Sequence, residues 1–417
     1  MSAFHRIVLY LIALLSATAR SRAEAGVSLV TLADLQALAL RNHPAGLEAE
    51  ALQRIGTAEI SVAKTWEDPV VEGSIGRGTP KPEGPSGQEW SYEVGQNLPS
   101  PIAYRHRIQS AEFGAQERNA EAAARRLDLE IAVEALFYEY SSASEAASLL
   151  KQTAEGAERV LALTTRRVEL GEGRENERLR AEVELLRVRR AYAAASREAE
   201  VSRESLRRIV GPGIPETFDV APQWPSLAAT PALEDLRSKA EAANPELLAA
   251  RARVSESGEA SLAASWAAWP DLAASYYRTD EIDKNSHGVR LGLRVPLWNA
   301  NRPEAARRKA EASFLRAELA QLEIDLGNEL IRAHGELRVA AEQTDQFATR
   351  LLPTARESLR LAELTYSEGE ASFLELLDAQ RTYRETASEL IEVRRDAARA
   401  LTTLHRLTGG AHAANSR

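Results

Sequence analysis

The sequence predicts a mainly helical chain with a small β part, built as two tandem repeats in which long coiled-coil helices are joined to four short β-strands. Three observations predict it. The chain matches itself at an offset near 200 residues, its longest helical stretches carry a narrow apolar seam, and each repeat holds two short extended segments around a polar turn. Composition agrees. The 417 residues are 44% hydrophobic and 27% charged but only 6% aromatic, with no cysteine, one methionine and a formal charge of −9. That charge content excludes a polytopic helical membrane protein, whose spans need about 20 apolar residues each. The apolar fraction is too high for a disordered chain. The acidic balance argues against nucleic acid as the partner. Without cysteine there is no disulfide, thiolate metal site, cysteine nucleophile or lipidated N-terminal cysteine.

Residues 1–25 read as a secretory signal. His5 and Arg6 form a short polar start, Ile7 to Leu15 is an apolar run too short to span a bilayer, and Ala23-Glu24-Ala25 is a small-x-small cleavage site. Ala17-Thr18-Ala19 is the other candidate site, and a membrane anchor is the other reading of the segment. Cleavage before Gly26 leaves 49 basic and 60 acidic residues, a charge of −11.

The rest is written twice. Leu32-Ala-Asp-Leu35 matches Leu233-Glu-Asp-Leu236, His43-Pro44 matches Asn244-Pro245 and Asp68-Pro69 matches Trp269-Pro270, all at an offset of 201. Val94-Gly95 and Leu98-Pro99 match Leu291-Gly292 and Val295-Pro296 at 197, and Gly171, Leu179 and Ala181 match Gly369, Leu377 and Ala379 at 198. The first repeat is 26–211 and the second 231–410, with a Pro-rich linker at 212–230 and a tail at 411–417.

Each repeat has one plan. A helix, Thr31 to Thr65 or Pro231 to Ser265, begins with an acidic first turn (Asp34, Asp235) and is punctuated by His43-Pro44 or Asn244-Pro245. Two extended segments follow. A long helical stretch then runs from about Ile102 to Leu170, or Pro303 to Glu368, up to a glycine break at Gly171 or Gly369. A last helix ends near Ile209 or Leu407, at glycine. The long stretches carry the seam: Leu315, Leu319, Leu322, Leu326, Leu330, Ala333, Leu337 and Ala340 step by threes and fours, as do Leu352, Ala355, Leu359, Ala362 and Tyr366. A compact bundle and an extended strut both fit this pattern. Length favours the strut, because such a helix measures roughly 100 Å, several times the width of a compact domain.

The segment 287–296 alternates cleanly, with Val289, Leu291, Leu293 and Val295 on one side and Arg290, Gly292 and Arg294 on the other. Its counterpart puts Tyr92 and Val94 opposite Glu93 and Asn97. Val70 to Arg77 and Leu272 to Arg278 supply the preceding strands. Such a hairpin packs its apolar face on a helix, or turns it to lipid while the polar face lines water. About 9–11 residues suit a tilted transmembrane strand. Four strands cannot close a barrel, for which about eight is the small limit, and open edges are not tolerated in lipid. The membrane reading therefore requires several chains, and three copies supply twelve strands.

No catalytic pattern is present. The seven histidines are scattered without an HExxH pair, and there is no GxSxG, P-loop or dinucleotide fingerprint. No enzyme activity, cofactor or metal site is expected. A periplasmic coiled-coil adaptor or scaffold is the rival to a duct, but adaptors usually carry one helical hairpin entered and left through β domains, whereas here each tandem copy has its own amphipathic strands.

The tandem repeat, the order of elements and the segment Tyr366-Ser-Glu-Gly369-Glu-Ala-Ser-Phe-Leu-Glu375-Leu-Leu377-Asp378-Ala379 together resemble the TolC family of outer-membrane efflux ducts. The resemblance spans essentially all of the chain after the signal. It implies a homotrimer with a twelve-stranded β-barrel in the outer membrane of a Gram-negative bacterium, a helical barrel reaching through the periplasm, and docking to a periplasmic adaptor and an inner-membrane pump of the RND type. The brevity of the chain resembles the CusC- and CzcC-like heavy-metal-efflux branch, although Ser100-Pro101-Ile102-Ala103-Tyr104 departs from the glycine-rich basic turn many of its members carry there. By the resemblance, Glu375 and Asp378 ring the periplasmic aperture, with Glu177 and Arg180 in the equivalent places of the first repeat and Arg180 a candidate to pair with a neighbouring acid. Gly171, Gly369, Leu179 and Leu377 mark the tips an adaptor grips. Arg290, Arg294 and Glu93 face the barrel lumen, and Val289, Leu291, Leu293, Val295, Tyr92 and Val94 face lipid. Without the resemblance, the two acids are a solvated helix face, the arginines a water-exposed sheet face and the glycines plain helix stops.

Overall fold

A computed structural model describes residues 28–79, 84–215, 218–220, 224–225, 230–295 and 302–410. The signal segment, its cleavage sites and the tail at 411–417 lie outside the described residues, as does part of the linker. The elements in order are β1 (Ser28–Val30), α1 (Leu32–Asn42), α2 (Pro44–Lys64), β2 (Val70–Gly78), β3 (Gly87–Leu98), α3 (Pro101–Glu169), α4 (Glu175–Val210), β4 (Phe218–Val220), α5 (Leu233–Ala243), α6 (Pro245–Trp266), β5 (Asp271–Asp280), β6 (Asn285–Arg294), α7 (Arg302–Gln346), a π-helical turn (Phe347–Leu351), α8 (Leu352–Glu368) and α9 (Phe373–Leu407). Among the described residues no helix is long and apolar enough to cross a membrane.

The order repeats as expected, with two refinements. The first helix of each repeat is two helices parted before Pro44 or Pro245, where proline fits the start of a helix but not its interior. Thr31 and Asp34 form a capping box on α1, and Asn244 caps α6 by accepting from the Leu247 N–H at 2.9 Å. The stretch from Pro303 to Glu368 is one helical run broken by the π turn just before Pro353, which supplies no N–H to the ladder. The first repeat has no proline there, and α3 runs 69 residues without a break.

Contacts divide the chain into two units, each drawing segments from both repeats. One comprises Met1–Gly46, Asp128–Ala232 and Arg332–His405, the other Leu47–Leu127, Leu233–Ile331 and Arg406–Arg417. In the first, β1 pairs in parallel with β4, and Leu35, Val133, Phe137, Leu206, Val210 and Phe218 bury themselves as its core. From the linker, Trp224 packs onto this unit: it stacks on Tyr138 at 6.2 Å and donates to Glu145 at 2.8 Å. In the second unit, four antiparallel strands form one sheet in the order β2-β3-β5-β6. The repeat shows in small details. Asn42, the last residue of α1, donates to the Pro212 carbonyl at 2.6 Å in the first unit, and Asn244, the cap of α6, donates to the Leu407 carbonyl at 3.0 Å in the second, each tying the junction of its repeat's first two helices to the end of that repeat's last helix.

Candidate functional site: sheet faces and hairpin tip

Register decides what each face of the sheet presents. Val94 lies opposite Val71 and Tyr276, Tyr276 opposite Val289, Ala274 opposite Leu291 and Leu272 opposite Leu293. Tyr92 and Val94 therefore share one face with Val289, Leu291 and Leu293. That face lies open: Leu291 is 70% exposed and Val71 and Ile75 are as bare. Toward the turns it carries a line of aromatic rings, with Trp90 stacked on Tyr92 at 6.0 Å and Tyr92 against Tyr276 at 6.4 Å. Val295, just past the end of β6, is also exposed.

The other face is polar. Glu93 accepts from Ser275 and from Arg290, both at 2.5 Å, across the width of β5. The Arg290 guanidinium also sits 5.0 Å from the centre of the Tyr277 ring. Ser74 and Ser91 hydroxyls meet at 2.8 Å. Glu93 and Arg290 occupy equivalent places in the two repeats, so the duplicated position carries opposite charges that pair. The Arg294 backbone closes the ladder opposite Asp271, while its side chain lies outside the described residues. Among the described residues strands β2 and β6 each have one partner, so the four-stranded sheet has two free edges there.

The hairpin tip belongs to the other unit. Gly171 and Gly369 have φ of 77° and 84°, a conformation that costs any residue with a Cβ, and they end α3 and α8 as the sequence indicates. Between them a small core forms from Val160, Ala181, Tyr366, Phe373 and Leu376, with Leu377 packed against it. Leu179, by contrast, is exposed. Arg167 holds the two turns together. It donates to the Tyr366 carbonyl at 3.1 Å and lays its guanidinium 5.0 Å over the Tyr366 ring. Among the described residues the Tyr366 hydroxyl is buried without a hydrogen-bond partner. Its burial, reinforced by the nearby charge of Glu177, pushes its pKa up, while Arg167 opposes that rise.

Glu375 and Asp378 both lie exposed on the first turns of α9. Each already has a local bond. The Glu375 carboxylate accepts from the Ser372 N–H at 3.2 Å while the Ser372 hydroxyl accepts from the Glu375 N–H at 3.3 Å, a capping box legible in the spacing Ser-x-x-Glu. Asp378 accepts from Arg381 at 2.5 Å. The two acids edge an open groove of about 840 Å³ whose walls include Glu184, Arg187, Leu374 and Arg384. Glu177 lies in the first turn of α4, where acid complements the helix dipole. Arg180 is exposed and forms no ion pair among the described residues of this chain; the neighbouring Arg178 is the one that pairs, with Glu175 and Glu182. Among the described residues no group of three or more His, Asp or Glu could hold a metal ion.

The capping box, the Arg167 clamp and a partly buried carboxyl pair escaped the sequence reading. In that pair, on the second unit, the half-buried Glu256 lies beside the buried Glu117, and Arg253 reaches Glu117 at 2.6 Å. Only the first had a sequence signal.

Comparison with known proteins agrees with this geometry. A family model described as outer membrane efflux protein matches residues 35–212 and 236–410. The cobalt-zinc-cadmium resistance protein CzcC of Cupriavidus metallidurans is 24% identical over 305 residues, 73% of each chain. The open state of the MtrE outer membrane channel of Neisseria gonorrhoeae superposes with a TM-score of 0.73 at 19% identity, covering 91% of this chain and 89% of that one. CusC, solved in a study of folding and transmembrane channel formation, gives 0.68 at 16% identity over 91% and 92%. The likeness to these solved structures establishes the fold.

Proposed function

The chain belongs to the outer membrane efflux protein family, and on that premise we propose that it is the outer-membrane duct of a three-component efflux system, working as a homotrimer. One observation carries the assembly: a sheet with one bare apolar face, one polar face and two free edges. In lipid every backbone donor needs a partner, so an open sheet cannot stay open there. Copies must pair β6 of one with β2 of the next. Two copies reach about the smallest closed barrel, and a third makes a twelve-stranded one with room for water inside. The aliphatic and aromatic face then meets hydrocarbon. Glu93 and Arg290 turn to the lumen, and Arg294 is assigned to it from the sequence alternation alone.

The partners follow from the tip. The turns at Gly171 and Gly369, with Leu179 and Leu377 beside them, are the surface for a periplasmic adaptor, and an inner-membrane pump of the RND type delivers the cargo. Divalent heavy-metal cations are the favoured cargo, supported by the relation to a cobalt-zinc-cadmium resistance protein. The ions pass as substrate, steered by charge rather than held. Three copies of Glu375 and Asp378 make a ring of six carboxylates at the periplasmic mouth, with Glu177 and Arg180 beside it, and such rings favour cations. The N-terminal segment directs export and is removed.

The test is conductance in planar bilayers. The detergent-extracted oligomer is expected to form cation-selective pores. The variant E375Q/D378N keeps an acceptor for the Ser372 cap but removes the charge, and its cation preference is expected to fall several-fold. Unchanged selectivity and unchanged block by divalent cations would refute the aperture assignment, and a soluble monomer would refute the duct.

A further inference from the structure

We propose that the turn-ward end of the sheet's apolar face seats the phosphate groups of an anionic membrane lipid, with Arg278 and His287 as the principal contacts and Arg77 as an outlying one. The inference rests on the barrel reading of the sheet.

Register carries it. Val71, Val94, Tyr276 and Val289 form one row across the four strands, and the next row toward the turns holds Tyr92, Arg278 and His287 on the same face. Arg278 and His287 are direct cross-strand partners and both are exposed. Directly opposed side chains have their Cβ atoms only about 5 Å apart, so two basic groups are concentrated where the Val, Leu and aromatic face gives way to Asp280, Asn285 and Gln88 beside the turns. Arg77 is exposed on that face two residues beyond Ile75.

None of the three is neutralised by an ion pair among the described residues. The ion pairs of the sheet and its described turn are Arg290 with Glu93, on the opposite face, and Lys284 with Glu281. Asp280 is the carboxylate nearest in sequence on the same face, and no ion pair joins it to Arg278. The Arg278 guanidinium instead lies 5.8 Å from the centre of the Trp90 ring. Stacking of this kind leaves the N–H edge of the guanidinium free to bind in the plane.

Position selects the ligand. Trp90, Tyr92 and Tyr276 make an aromatic line like the girdles that mark the level of lipid headgroups on a barrel. A cation on the lipid face is costly at hydrocarbon depth and favourable at the headgroups of an anionic leaflet. The planar fork of arginine matches phosphate oxygens in pairs. The turns lie at the strand ends away from the helices, so the leaflet in question is the outer one.

The detergent-purified oligomer would be titrated with a diphosphorylated disaccharide lipid, with the same lipid stripped of its phosphates, and with inorganic phosphate, reading bound lipid by native mass spectrometry. Each cation near a headgroup contributes roughly a factor of five. With the Arg278 charge at the headgroup and Arg77 outlying, the phosphorylated lipid is expected to bind about tenfold more tightly than the stripped one. In R278Q/H287Q the preference is expected to fall below about threefold. R278K, which keeps the charge but not the planar fork, should retain a preference between those of the parent and R278Q/H287Q, and that partial rescue separates lost binding from misassembly. Equal binding of the two lipids, an undiminished preference in R278Q/H287Q, or full competition by inorganic phosphate at the lipid's own concentration would overturn the lipid seat. A chain that stays soluble and monomeric without detergent would overturn the barrel reading itself, whereas a detergent-requiring oligomer blind to phosphate overturns the lipid seat alone.

Discussion

Tyr366 shows how one side chain serves the hairpin tip and strains it. Its ring fills the small core with Phe373 at 5.9 Å and takes the Arg167 guanidinium on its face, yet its hydroxyl is buried with no partner. A buried hydroxyl without a hydrogen bond costs about 1–3 kcal/mol. Tyr366→Phe keeps the ring and the cation contact and removes that cost. The amides of Gly369 to Ala371, which bond back to α8, are expected to exchange with solvent about fivefold more slowly in the variant; faster exchange would mean the hydroxyl has a stabilising role. Glu375 carries two demands at once. Its carboxylate completes the cap on α9, and the proposed aperture uses its charge. Ser372→Ala removes the cap but not the charge and is expected to cost about 1 kcal/mol of helix stability with ion selectivity intact.

At the scale of elements, the packing of α6 on α3 in the second unit contains a titratable contact. Burial, and then the negative charge of Glu117, pushes the Glu256 carboxyl up to about 7, with Arg118 opposing and Glu59 adding to the rise. Glu256 is thus protonated in the folded chain where the unfolded chain has lost its proton. Its contribution to stability is full below the unfolded value near 4.5 and is lost as pH rises through 7. Glu256→Gln, a neutral mimic, is expected to flatten the stability profile between about pH 4.5 and 7 and to be the more stable protein at pH 8. Denaturation midpoints across that range decide it. This contact pairs residues far apart in sequence on surfaces that both read as ordinary helix. By contrast, the helix starts at Thr31 and Asn244, the glycine stops and the strand alternation at 287–295 were all legible, because each depends on neighbours within four residues.

At the scale of the whole molecule, the sheet's bare face is the reason for assembly. Leu291→Arg places a charge among Val, Leu and Tyr on that face, a change expected to cost about 2–4 kcal/mol at bilayer mid-depth. Heat-modifiable oligomer on a denaturing gel should be lost for this variant, whereas Ser74→Lys on the polar face should leave it in place. Equal oligomer yields for both would contradict the assignment of faces. The faces were half legible. Val289, Leu291 and Leu293 alternate by themselves, but β2 and β5 alternate poorly, and their membership of the same two faces appears only once the register is known.

The sequence by itself determined the duplication, the order and kind of every major element, the punctuation by proline and glycine, and the family. These are local or periodic properties, and a 3.6-residue or two-residue period survives without a partner. The tertiary structure decided which residues meet. It joined the equivalent positions Glu93 and Arg290 across an intervening strand, put Arg278 and His287 side by side on the apolar face, and placed Arg167 over Tyr366. Those contacts span from 9 to 199 residues of chain, and register and packing, rather than any local propensity, bring them together.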